Sequence, residues 1–373
     1  MLYVDIPTLP ELKALISTRA DTCVSIYVST TPHTQQVSAS RIAYGNLVKT
    51  AMEQLESIGF DKHRRRRLEA ELAALTDDDD FWKLQAHSLA VLATPDSIRT
   101  FRLATAVTDT TQVADRFYLK PLLRAIAFPQ TAFILTLSEN AVRLIEIFAD
   151  LPPSPVRVPE LPKSAADAVG RASINNLTQN TRIANAEGQT VLLRQYARKV
   201  DAALRGVLAG RDTPLILAST DPLAPIFRNL NSYPALLSEG ISESPDRLSE
   251  AELASAARPI LDRYYKAQID EARTLFEARS NDRRATTNIG EVARAATNGA
   301  VEFLMVDIDH VEPGTVNDTD GAVTFATSPD AANYDIADEI AGRAIMTGAR
   351  FLGVRQTDIP GNAQVAAILR YPI

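Results

Sequence analysis

Twice near its C-terminal end the chain runs through one three-part pattern. An amphipathic helical stretch leads to a glycine turn and then to a buried apolar strand. IGEVARAATNGAVEFLMVDID covers residues 289–309 and IADEIAGRAIMTGARFLGV covers 336–354. A helix that feeds directly into an apolar strand must lie on the sheet that the strand joins. This part of the chain is therefore expected to be an α/β sandwich. IPGNAQVAAILRYPI supplies a glycine-containing loop and a last strand.

The same signals extend upstream. TLPELKALIST reads as a short helix and CVSIYVST as a buried strand. Between Ile42 and Ile58 the spacing of Leu47, Ala51, Leu55 and Ile58 predicts a helix. A second helix is expected over Lys62–Leu75. It opens on KHRRRR and precedes Asp77-Asp78-Asp79-Asp80, which reads as a solvated face beside a compensating acidic loop. HSLAVLATPDSIRTFRL and AFILTLSENAVRLIEIF are two hairpin signals, and they imply separate sheets. The intervening VADRFYLKPLLRAI looks helical and is expected to cross a domain boundary. From Leu248 to about Ser280 the pattern is helical, with Pro259 expected to break or kink it. EPGTVNDTDGA reads as a loop.

Totals narrow the function. The chain has 373 residues, enough for two or three domains, and a net charge of −7. An acidic balance opposes broad coating of nucleic acid, and no DNA partner is expected. No apolar run of about 18 residues or more occurs, so no membrane partner is expected. MLYVDIPTLPEL lacks the basic and apolar parts of a signal peptide. Cys23 is the only cysteine. Together these favour the cytoplasm. No Walker loop, G-x-G-x-x-G or G-x-S-x-G is present, and no cofactor is implied. His33, His63, His87 and His310 are scattered without metal-ligand spacing. Asp307, Asp309, His310 and Glu312 cluster after a strand, where a polar strand-end loop is the expected reading, and no metal is assigned.

NAEGQTVLLRQYARKVDAALRGVLAGR, residues 185–211, is the most informative stretch. It ends a polar segment, RASINNLTQNTRIANAEGQ, whose length and composition fit a functional or disordered loop. Gly188 permits close backbone approach, and Gln189 offers amide donors and an acceptor without charge. In the helix that follows, Leu192, Tyr196, Val200, Leu204 and Leu208 are expected to form the buried stripe. Arg194, Arg198, Lys199 and Arg205 lie on other faces as candidate phosphate contacts. An ordinary loop-to-helix start and a loop that works on an RNA-linked substrate both fit these residues.

Two regions resemble the archaeo-eukaryotic class-1 peptide-chain release factor and Pelota superfamily, and more closely its bacterial homologues. ILDRYYKAQIDEAR, IGEVARAATNGAVEFLMVD and the ending AAILRYP look like that family's third domain, over roughly residues 250–373. EGQTVLLRQYARKVDAALRGVLAGRDTPLILAST has the order of its Gly-Gly-Gln loop, Arg-rich helix and strand, within residues 110–230.

The resemblance implies three α/β domains. These would be an N-terminal α/β domain over 1–105, an RNase H-like middle domain over 106–246 and a C-terminal α/β sandwich over 247–373. It places Gly188 and Gln189 as catalytic residues, with Glu187 where the first Gly belongs. Arg194, Arg198, Lys199 and Arg205 become RNA-binding residues. The implied partners are the ribosome and peptidyl-tRNA. The implied reaction is hydrolysis of the peptidyl-tRNA ester, with Gln189 placing the water. Residues 1–105 lack the Asn-Ile-Lys-Ser motif of the codon-reading domain, so stop-codon recognition is not implied. A non-catalytic, Pelota-like ribosome or RNA-binding protein is the alternative. A metal-dependent nuclease on the RNase H-like fold ranks last.

Overall fold

The computed structural model describes residues 4–31, 37–127, 131–148, 152–170, 182–211, 213–327 and 333–372. Contacts divide the chain into two compact units, Met1–Pro129 with Ala267–Ile373, and Gln130–Lys266.

The first unit begins with α1 (Leu9–Ser17), β1 (Cys23–Ser29), α2 (Val37–Ser57), α3 (Lys62–Asp77) and α4 (Asp79–Lys83). β2 (Ser88–Thr94), β3 (Ser97–Leu103), β4 (Thr110–Ala114) and α5 (Lys120–Ala127) follow. The sheet order is β3-β2-β1-β4, antiparallel throughout. Strand alternation separates its two faces. Val24, Ile26 and Val28 pack on α2, α3 and Trp82. Cys23, Tyr27, Ala90 and Leu92 face a second core. On α3, Arg64 pairs with Asp21, Arg65 with Glu56 and Arg67 with Glu71, so most of the basic run is neutralised within the protein.

The second unit contains β5 (Ala132–Leu137), β6 (Val142–Ile147), β7 (Ser154–Val156) and α6 (Ala165–Ala168). It continues with α7 (Arg182–Leu208), β8 (Leu215–Ser219), α8 (Leu223–Leu230) and the first part of α9 (Glu250–Ser280). β5 and β6 are the expected hairpin. β8 joins β5 in parallel, giving the order β7-β6-β5-β8. Parallel bridges Leu215↔Leu236 and Ala218↔Ile241 extend the sheet beyond β8. β5, apolar except for Thr136, is buried on both faces. Phe133 and Leu135 pack on α7 and α8, and Ile134 packs on α9. α9 runs through Pro259 as one helix rather than breaking there. Proline inside a helix costs about 3 kcal/mol. Burial of Ala257, Ile260 and Leu261 around it offsets that, at roughly 1.5–3 kcal/mol per large apolar side chain.

The chain then returns to the first unit with β9 (Ala285–Thr286), α10 (Ile289–Thr297), β10 (Val301–Asp307), β11 (Pro313–Val316) and β12 (Val323–Phe325). β13 (Tyr334–Asp335), α11 (Ile336–Met346), β14 (Arg350–Val354) and β15 (Val365–Leu369) complete it. The sheet β14-β10-β15-β9 carries α10 and α11 on one face, and Ala272 and Phe276 of α9 on the other. This is the expected α/β layering. The stretch read as a loop instead contributes β11 to a small sheet, β12-β11-β13, whose other two strands follow it in the chain. Gly314 permits it, since a Cβ there would meet Thr324 O at 2.3 Å.

The unit boundaries differ from those expected. Residues 106–127 belong to the first unit, and α9 belongs to the middle unit as far as Lys266. One core explains this. Leu12 and Leu15 of α1, Tyr27, Leu122 and Leu123 of α5, and Ile340 of α11 all share it. Neither the N-terminal nor the C-terminal stretch closes that core alone. Lys120 Nζ meets Asp335 Oδ2 at 2.7 Å within it, both side chains almost fully buried.

Candidate functional site on helix α7

α7 lies on the β5–β8 face because Leu193, Tyr196, Ala197, Val200, Leu204 and Leu208 are buried against it. The stripe starts one residue later than expected: Leu193 is buried and Leu192 only half-buried. Gly188 and Gln189 lie inside α7, which begins at Arg182, and not in a loop ahead of it. Residues 171–181 of the expected loop lie outside the described residues. Ala, Glu, Gln and Leu around Gly188 are good helix formers, and one helical glycine costs only about 1 kcal/mol. Glu187 likewise has a helical backbone, so the strain of a left-handed position does not arise there.

Gly188 is exposed, and a Cβ built on it meets nothing within 4 Å. The fold of this unit therefore does not require glycine at 188. Gln189 is half-buried, and its Nε2 donates to Glu139 Oε1 at 3.2 Å. Glu139 sits in the β5–β6 turn, which is tightly held. Ser138 Oγ donates to Asp246 Oδ1 at 2.6 Å and Asn140 Nδ2 to Asp246 Oδ2 at 3.1 Å. From α7, Tyr196 OH donates to Ser138 O at 3.0 Å. Burial, and then the nearby Asp246 carboxylate, pushes the Tyr196 phenol above its ordinary value, so it stays a neutral donor. Ser138-Glu139-Asn140 forms the turn of the hairpin signalled by AFILTLSENAVRLIEIF, and nothing in the sequence marks Asp246. No local pattern marks either acid as a partner of α7.

The four expected RNA-contacting cations fall into two kinds. Arg194 and Arg198 are exposed and make no hydrogen bond or ion pair among the described residues. Lys199 Nζ donates to Ala168 O at 2.7 Å, at the end of α6. Arg205 Nη2 meets Asp201 Oδ2 at 2.7 Å, and Asp201 is buried and also accepts from Ser232 N–H at 2.8 Å. Arg205 thus holds a buried carboxylate in place. Arg194 and Arg198 are the pair left open to an anionic ligand.

The acids after β10 have separate partners. Asp307 accepts from Asp309 N–H at 3.1 Å, Arg124 lies 3.7 Å from Asp309, and Gln364 Nε2 donates to Glu312 Oε2 at 2.7 Å. Among the described residues no group of three or more His, Cys, Asp or Glu is placed to hold a metal ion. No helix among them is long and apolar enough to cross a membrane.

An α7 packed on a mixed sheet with an arginine face is the part of the chain that matches a known family. Residues 129–267 match the model of bacterial archaeo-eukaryotic release factor family 11. That match covers the middle unit and relates that unit to the bacterial archaeo-eukaryotic release factors. No curated protein matches the chain. Solved structures similar to it include the archaeal translation termination factor aRF1, at 13% identity and TM-score 0.25, covering 98% of this chain and 99% of that one. Dom34 of S. cerevisiae has 13% identity and TM-score 0.42, covering 77% and 80%. Archaeoglobus fulgidus Pelota has 12% identity and TM-score 0.32, covering 100% and 94%.

Proposed function

We propose that this protein is a release or rescue factor-like protein that binds the ribosome through the exposed arginine face of α7. In this reading Glu187-Gly188-Gln189 stands in the Gly-Gly-Gln position but does not hydrolyse peptidyl-tRNA. One observation carries the second point: Gln189 has a helical backbone, and its side chain is bound to Glu139. A helical N–H is committed to the carbonyl four residues earlier. The backbone N–H of Gln189 is then not free to place an attacking water, and its side-chain amide is tethered to Glu139. Glu187 adds a carboxylate where RNA phosphates would crowd.

The middle unit is taken as RNase H-like. The order β7-β6-β5-β8, with β8 parallel to β5 and the 236–241 segment bridged to β8 in parallel, supports that. It works alongside an N-terminal α/β part and a C-terminal α/β sandwich, in the cytoplasm.

The catalytic reading is favoured by a different observation. Gly188 is exposed with open space around it, as a residue that must approach a ligand closely would be. Peptide release from ribosomes carrying peptidyl-tRNA separates the two. Background release by both the natural protein and Gln189→Ala supports the binding role. Release well above background that collapses in Gln189→Ala establishes the hydrolase.

A further inference from the structure

A cavity of about 390 Å³ lies at the carboxyl end of β8, sharing no residue with the α7 site. Ser219, Thr220 and Asp221 at the strand end, Arg228 of α8, and Ser238 and Ser242 supply its polar groups. Alternation along β8 puts Ser219 on the same side as Leu215 and Leu217, which face α7 and α8. Ser219 is only 4% exposed, and its Oγ has no hydrogen-bond partner among the described residues. A buried hydroxyl left unpaired is costly to the fold. In a polar cavity it marks a place where a ligand atom belongs.

Arg228 and Asp221 define the charge of that ligand. Arg228 Nη1 donates to Leu237 O at 2.6 Å, which orients the guanidinium and leaves its other N–H groups for the cavity. A Cβ at Gly240 would meet Arg228 Nη2 at 2.8 Å and Leu217 O at 2.4 Å, so glycine at 240 is what lets the guanidinium lie there. Asp221 is exposed and lines the same cavity, yet makes no ion pair with Arg228 and no hydrogen bond among the described residues. Opposite charges that line one cavity without touching complement a molecule carrying both. No aromatic side chain among the described residues lines the cavity, which disfavours a stacked base.

We infer that this cavity is a binding site for a free α-amino acid. Its carboxylate bonds to the Arg228 guanidinium, and its ammonium donates to Asp221. The Ser219 hydroxyl takes a polar atom of the same molecule. The site is independent of the ribosome-binding reading.

Isothermal titration of the full chain with individual L-amino acids tests this, with inorganic phosphate and ribose as comparison probes. Saturable binding is expected for at least one amino acid. It should be lost when both charges are removed, as in the N-acetyl amide of that amino acid. Asp221→Asn should weaken binding about tenfold or more, with an unchanged melting temperature because the side chain supports no fold contact. Ser219→Ala should also weaken binding, without loss of stability. Arg228→Gln loses the Leu237 contact too, so Asp221→Asn is the variant that decides. Three results overturn the proposal. They are no saturable binding of any amino acid at millimolar concentration, binding of phosphate or ribose instead, or amino-acid binding that Asp221→Asn leaves unchanged.

Discussion

Gln189 Nε2 donates to Glu139 Oε1 at 3.2 Å, joining α7 to the turn between β5 and β6. The contact is partly buried, where a hydrogen bond to a charged acceptor contributes about 1.5–3 kcal/mol at most and less with water access. Glu139→Ala should lower the urea stability of the protein by no more than about 1.5 kcal/mol. A double-mutant cycle with Gln189→Ala should return a favourable coupling. Additive effects would mean that the two side chains do not interact in solution.

Gly188 offers a sharper test of the helix. Its space is open and its φ is not left-handed. Gly188→Ala should therefore stabilise the protein by about 0.5–1 kcal/mol, measured as a higher denaturation midpoint. A destabilised variant would show that residue 188 does not hold a helical conformation.

The first unit depends on a buried charge pair. Lys120 Nζ lies 2.7 Å from Asp335 Oδ2, and Asp335 also caps α11 by accepting from Ala337 N–H at 3.0 Å. Lys120→Met leaves that carboxylate buried without its cation. Loss of one partner of a buried pair costs about 3–5 kcal/mol. Chemical denaturation should register a loss of this size, whereas a change below about 1 kcal/mol would place the pair in contact with water.

Asp338 makes stability depend on pH. Burial, reinforced by the Asp335 carboxylate, pushes its carboxyl from the ordinary 3.8 up to about 8. Its Oδ1 is buried without a hydrogen-bond partner among the described residues, as befits a carboxyl that holds a proton. The folded state then binds this proton more tightly than the unfolded state. The contribution is fully present below about pH 3.8 and is lost as pH rises towards about 8. Denaturation midpoints should therefore fall across that window in the natural protein and fall less in Asp338→Asn. Equal pH profiles for the two would assign the dependence to other groups.

Much of the fold was legible because its signals are local. The two hairpins, the α7–β8 succession and the two helix–glycine–strand units each carry their periodicity within about 20 residues. What escaped was non-local or short. Lys120 and Asp335 are 215 residues apart, and no spacing rule joins them. Tyr27 and Ile340 share a core although they come from opposite ends of the chain. β11 hid among Pro, Gly and Asp, which read as turn residues. At the site, the arginines of α7 were legible from the helix repeat. The capture of Lys199 by Ala168 O and of Arg205 by Asp201 was not, since each depends on burial. The helical state of Gly188 and Gln189 was masked by the Asn-rich segment before them.

The exposed pair Arg194 and Arg198 carries the proposed interface, and sedimentation with ribosomes that hold peptidyl-tRNA tests it most directly. Both side chains are solvent-facing, so the double change Arg194→Glu with Arg198→Glu should leave the fold intact. The natural protein should co-sediment with ribosomes in a salt-sensitive manner, as phosphate contacts require. The double variant should stay in the supernatant. Failure of the natural protein to co-sediment, or equal co-sedimentation of the variant, would contradict a ribosome-binding role for α7.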